Sequence, residues 1–176
     1  TDSINPYWDD LPYRDVIAAA EWFKQQPWID ADRMVAGGGS YGGYLTSIIL
    51  GRPHPFKALV AHAAVYNLYT QVAADFGIEV PRFGSFWTPE QQAVFKQTSP
   101  HYGAANFDTP SLVVHGQRDL RVPVNHGIEL YHALQQKGVP SRLVYFPDEN
   151  HWVLKPGNSL AWYREVKAWF DKHNAP

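Results

Sequence analysis

Residues 33–50 read RMVAGGGSYGGYLTSIIL: a short apolar run, a cluster of glycines around Ser40, and a second apolar stretch closed by Gly51. The run 33–38 is expected to be a buried strand and 41–50 a helix with Gly51 at its C′ position. Gly38-Gly39-Ser40-Tyr41-Gly42 is then G-x-S-x-G at a strand-to-helix turn. Such a turn strains the serine backbone, lifts its hydroxyl above the sheet, and calls for small residues two before and two after it. It also aims the N–H of Tyr41, at the helix start, toward a developing oxyanion. The same glycines contain a dinucleotide-type G-x-G-x-x-G (Gly37, Gly39, Gly42). That alternative is disfavoured because no acidic residue ends the next apolar run, ALVAH at 58–62, where a ribose partner belongs.

Outward from this turn, short apolar runs alternate with longer amphipathic stretches, the pattern of βα units around a parallel sheet. Strands are expected at 33–38, 58–62, 111–115 (SLVVH) and 142–146 (RLVYF). Helices are expected at 12–26, with Asp10 as cap and Pro12 in the first turn, at 41–50, and at 123–137, ended by Gly138. Val124, Ile128, Tyr131 and Leu134 should form the apolar face of the helix at 123–137. Leu160, Tyr163, Val166 and Phe170 mark a last amphipathic helix, widened by Trp162 and Trp169. Between 67 and 103 the periodicity fails around Pro81, Pro89 and Pro100, a long excursion of the kind that tends to be functional. The expected class is α/β, one domain over 1–176, with about four parallel strands flanked by helices.

Composition narrows the function classes. Of 176 residues 45% are apolar and 18% charged, which excludes a disordered chain. The net charge of −2 supplies no basic field for nucleic acid or anionic lipid. No apolar run reaches the roughly 18 residues of a membrane span. With no cysteine, disulfides and thiolate chemistry are absent, and the compartment stays open. No cofactor or metal is expected, since no histidine or carboxylate pair falls on one helical face at ligand spacing.

A serine nucleophile needs a base, and the base an orienting acid. In a parallel sheet such groups gather beyond the carboxyl ends of strands. Asp119 follows SLVVH and His151 follows RLVYF, giving the order Ser, Asp, His that nucleophile-elbow hydrolases require. Asp108 precedes its strand. His115 is expected to hydrogen-bond within its loop, and His126 and His132 belong to the next helix. His54, His101 and His173 fall in loops or the tail. His62 ends a strand, but its place between nucleophile and acid is wrong for the base. Asp148 and Glu149 are too near His151 in sequence to hold it from below. Ser40, Asp119 and His151 are assigned as the catalytic set.

GGSYGGY around Ser40, HGQRDLRVP around Asp119 and YFPDENHW around His151 resemble the catalytic domain of the prolyl oligopeptidase family of serine peptidases. The stretch from Pro140, PSRLVYFPDENHWVLKPGNSLAWYREVKAWF, is most similar to the dipeptidyl-peptidase 5 branch, near the acylaminoacyl peptidases. The resemblance runs through nearly the whole chain and is weakest at 67–103. Gly39 departs from it, because many relatives carry a larger residue there. The resemblance implies an α/β-hydrolase that cleaves short peptides through an acyl-enzyme, beneath a β-propeller or similar domain. Neither that domain nor the family's free-amine-binding acids is found in these residues. It further implies that Arg121 binds a substrate carbonyl, with a surface salt bridge as the competing fate. Tyr41, Val65, Tyr66 and Val122 fall where relatives line the pocket before the cut; apolar core is the competing reading for those four.

The 39 residues before Ser40 leave room for one helix and one strand. The expectation is therefore a C-terminal half of the fold, lacking its N-terminal strands. The strand at 33–38 would then be an open edge, covered by a missing N-terminal domain or another chain. The oxyanion hole would keep Tyr41 N–H but lack its second donor, leaving the isolated chain weakly active or inactive. A carboxylesterase of the same fold and an inactive fragment are the alternative functions.

Overall fold

The computed structural model describes residues 8–72, 74–75 and 85–174. Strands β1 (Val35–Gly39), β2 (Ala58–His62), β3 (Ser111–Gly116) and β4 (Ser141–Phe146) lie parallel in the order β1-β2-β3-β4. Parallel neighbours need crossovers, and each carries helix: α2 (Tyr41–Leu50) after β1 and α5 (Asn125–Gln136) after β3. The crossover from β2 to β3 holds α3 (Leu68–Gln71), α4 (Pro89–Thr98) and a 3-10 helix (Pro100–Asn106). Helix α1 (Leu11–Lys24) precedes the sheet and α6 (Pro156–His173) follows it.

Alternation along the strands sends two sets of side chains to opposite faces. Leu59, Ala61 and Val113 pack with Ile49, Leu50, Leu130, Leu134 and Ala20, so α1, α2 and α5 cover one face. Ala58, Val60, Leu112, Val114 and Phe146 pack with Trp162, Val166, Trp169 and Phe170 of α6 on the other. With both faces covered, continuous apolar strands such as SLVV are what the architecture requires. A smaller cluster of Tyr44, Ile48, Val65, Leu68, Phe95 and Val122 sits beyond the carboxyl ends of β2 and β3.

All four expected strands form, with β1 shifted to Val35–Gly39. Three details differ. The Asp10 side chain does not cap α1; it pairs with Arg14 at 2.8 Å. In α5 the buried stripe is His126, Leu130 and Leu134, while Ile128 is 47% exposed. In α6 Leu160 and Tyr163 face outward, because the sheet takes the side bearing Trp162, Val166, Trp169 and Phe170. Both faces of each helix satisfy a period near 3.6, so spacing alone could not choose between them. Residues 76–84 of the excursion, Pro81 among them, and residues 1–7, including Pro6, lie outside the described residues.

Strand β1 is hydrogen-bonded to β2, and among the described residues no strand pairs with its other edge. An apolar groove of about 310 Å³ runs beside it, lined by Val35, Ala36, Val60, Trp162, Val166 and Phe170. Among the described residues, no helix is long and apolar enough to cross a membrane.

Candidate active site

Ser40 joins β1 to α2 with φ 58° and ψ −119°, backbone angles that cost a serine about 1–3 kcal/mol. Two hydrogen bonds hold it there: Ser40 N–H donates to the His62 carbonyl at 3.0 Å, and Tyr44 N–H donates to the Ser40 carbonyl at 3.0 Å. A Cβ at Gly38 would lie 2.4 Å from the carbonyl carbon and oxygen of Gly42, so the turn closes only on glycine there. The second demand for smallness falls one residue later than expected. A Cβ at Gly42 meets nothing, whereas one at Gly43 would lie 2.7 Å from the His62 carbonyl oxygen and 2.8 Å from Ala64. The Ser40 side chain makes no capping bond to its helix. Tyr41 N–H belongs to the first turn of α2, where amides have no partner within the helix.

Asp119 and His151 come from the loops after β3 and β4, and those loops are bonded to each other. Gln117 N–H donates to the Phe146 carbonyl and Arg118 N–H to the Glu149 carbonyl, both at 2.9 Å. Gly116 packs so closely on them that a Cβ would lie 2.3 Å from the Asn150 carbonyl oxygen. The structure brings Asp119 Oδ2 to 2.8 Å from His151 Nδ1, while Oδ1 accepts Arg121 N–H (3.0 Å) and Val122 N–H (2.8 Å). Burial alone would raise the Asp119 pKa. Hydrogen bonds to His115, His151 and Val122 N–H, with attraction to His151, outweigh it and hold the carboxyl well below its usual range. The carboxylate is therefore ionised and fixes the tautomer of His151: Nδ1 carries the proton and Nε2 is left to accept one.

Glu149 is engaged away from the His151 ring. It is buried and accepts the N–H groups of Leu154 and Lys155 and the Asn158 amide, bracing the segment after His151. Arg121 is half exposed, and its Nε donates to Asp75 at 2.9 Å. Val65, Tyr66 and Val122 are buried in the apolar clusters. Tyr41 is partly buried beside Trp8 and Tyr44, its hydroxyl donates to the Trp8 carbonyl, and burial, with Asp9, pushes its pKa up to about 12.

Three histidines that the sequence left in minor roles support this region. His115 Nε2 reaches the Val122 carbonyl at 2.8 Å, the loop contact expected of it. His62 bridges to the His151 loop. His126 is fully buried, and its Nδ1 accepts the N–H groups of Tyr66 (3.0 Å) and Asn67 (3.1 Å). Burial, aided by His115 and opposed by Asp119, pushes the His126 pKa from 6.5 down to about 4. Between those values the unfolded chain binds the proton and the folded one does not. This group's stabilisation is therefore full above pH 6.5 and lost as pH falls toward 4, on the order of 3 kcal/mol in all. His126→Asn, whose Oδ1 can accept the same N–H groups without titrating, should flatten the dependence of the urea midpoint on pH in that window. An unchanged slope would clear His126 of the effect.

The chain is 40% identical to dipeptidyl-peptidase 5 of Schizosaccharomyces pombe, an alignment covering 96% of this chain and 25% of that protein. It is 30% identical to the crystal structure of Porphyromonas gingivalis dipeptidyl peptidase 4, with a TM-score of 0.81 over 93% of this chain and 23% of that one. Pyrococcus horikoshii acylaminoacyl peptidase shares the fold, with a TM-score of 0.82 at 24% identity over 92% of this chain and 28% of that one. The chain thus spans about a quarter of the length of the curated relatives it matches. Residues 1–175 match the prolyl oligopeptidase family. With an α/β-hydrolase sheet and a match along nearly its whole length, the chain belongs to the prolyl oligopeptidase family of serine peptidases.

Proposed function

We propose that this chain carries the acyl-transfer centre of a peptidase that releases dipeptidyl or acylaminoacyl units from short peptides. The observation that supports it most is the strained Ser40 elbow sharing one sheet end with the Asp119–His151 pair. Ser40 Oγ attacks the scissile carbonyl while His151 Nε2 takes its proton, and the oxyanion develops toward Tyr41 N–H. His151 then protonates the leaving amine, and water repeats the sequence to free the acyl product. Asp119 keeps Nδ1 protonated and stabilises the imidazolium.

Arg121 is proposed to hold a substrate carbonyl with its planar fork, exchanging part of its contact with Asp75 for the peptide. The open edge of β1 is proposed to be covered by polypeptide from outside this chain, which would also bring the second oxyanion donor that nucleophile-elbow enzymes use. Without it, turnover by the isolated chain is slow.

A fluorophosphonate tests the reading without a substrate, because it reacts with a serine whose proton a base removes. Peptide mapping should find one adduct, on Ser40, and none in His151→Ala. An unlabelled Ser40, or labelling that persists in His151→Ala, would sink the acyl-transfer reading.

A further inference from the structure

His62 stands at the carboxyl end of β2, between the strand bearing the nucleophile and the strand bearing the acid. It makes three hydrogen bonds in three directions. Its backbone carbonyl accepts Ser40 N–H at 3.0 Å, one of the two bonds that hold the elbow. Its ring Nδ1 accepts the indole N–H of Trp162, on α6, at 3.1 Å. Its ring Nε2 lies 3.3 Å from the backbone carbonyl of His151. A ring whose Nδ1 accepts must carry its proton on Nε2, so the Trp162 bond makes Nε2 a donor to His151. The ring planes of His62 and Trp162 meet at 78°, an edge-on contact that leaves the imidazole little freedom to turn. On its other side, Cδ2 sits 3.4 Å from where a Gly39 Cβ would be, so a larger residue at 39 would press on this ring.

We propose that His62 is a positioning residue of the acyl-transfer centre, holding the Ser40 amide through its backbone and the His151 carbonyl through its Nε2–H. This rests on the function proposed above and adds a part to it. The base and the acid are joined by their own hydrogen bond, and the loops that carry them are joined by two more. The bond from His62 ties that unit to the nucleophile. Trp162 fixes the tautomer, so α6 reaches this ring through its indole N–H. Burial holds the His62 pKa below its ordinary value, against the opposite pull of the His151 carbonyl, and so keeps the ring neutral.

The test uses the rate of fluorophosphonate labelling at Ser40 in the full chain. His62→Leu removes the donor and should slow labelling by up to about 10²-fold, the cost of a misplacement near 1 Å. His62→Gln returns an N–H donor at the same reach and should recover most of the rate, a rescue that mere loss of packing would not produce. In the unmutated chain, ¹⁵N spectra of labelled histidine should report His62 as the Nε2–H tautomer, an observation independent of whether any variant folds. Wild-type labelling in His62→Leu, a His62→Gln as slow as the leucine variant, or the Nδ1–H tautomer would each overturn the proposal. If the unmutated chain itself fails to label, the acyl-transfer reading falls, whereas the tautomer still reports on the His62 contacts.

Discussion

In an active context, Ser40→Ala and His151→Ala should each lower kcat/KM for a dipeptidyl p-nitroanilide by about 10⁴-fold or more, and Asp119→Ala by somewhat less. As members of one proposed unit they should not be additive, and Ser40→Ala combined with His151→Ala should be no slower than either alone. The non-additivity is the stronger check, because three independent contributions would multiply. The pH profile follows from the same geometry. Asp119 is held ionised well into the acid range, so protonation of the orienting carboxylate does not limit activity there. Near-normal turnover by Ser40→Ala would end the hydrolase reading.

Gly116→Ala should be nearly as informative although residue 116 contributes no side chain. Its Cβ would stand 2.3 Å from the Asn150 carbonyl oxygen and 2.6 Å from that of Glu149. Both obstacles are backbone, so relief must come from moving the segment that carries His151. A displacement near 1 Å at His151, the proposed base, should cost up to about 10²-fold in kcat. Gly157→Ala, in the first turn of α6, is the matching control, since its Cβ would meet nothing within 4 Å. Equal kcat in the two variants would show that the His151 loop yields without moving its imidazole.

What could be read in advance divides along a physical line. The four strands were legible because a sheet covered on both faces demands unbroken apolar runs, and ALVAH and SLVVH are such runs. Ser40, Asp119 and His151 could be proposed as a set because strand-end loops in a fixed chain order leave few candidates, and the Asp119–His151 contact was foreseeable from it. The exposed sides of α5 and α6 were not legible: rotating either helix slightly presents another acceptable apolar stripe, and only the packed sheet decides. The His62 bridge was hidden for a different reason. Its partners are the carbonyl of residue 151 and the indole of residue 162, 89 and 100 positions away, and a backbone carbonyl leaves no trace in residue type. The shift of the small-residue demand from Gly42 to Gly43 was equally invisible, since both positions are glycine.

The side of β1 that no strand covers among the described residues has a consequence for how the chain behaves in concentrated solution. An exposed strand edge is usually a template for fibre growth, and proteins often guard such edges with lysine, proline or a bulge. The sequence of β1, VAGGG, carries none of these. It does end in three glycines, which have no side chains to interdigitate with a stacked copy and lose the most backbone freedom on being ordered. Only Val35 and Ala36 could contribute to a dry zipper, too short a stretch for the six or seven residues such zippers use. The glycines that let the chain turn sharply at Ser40 thus also make this edge a poor seed for self-association.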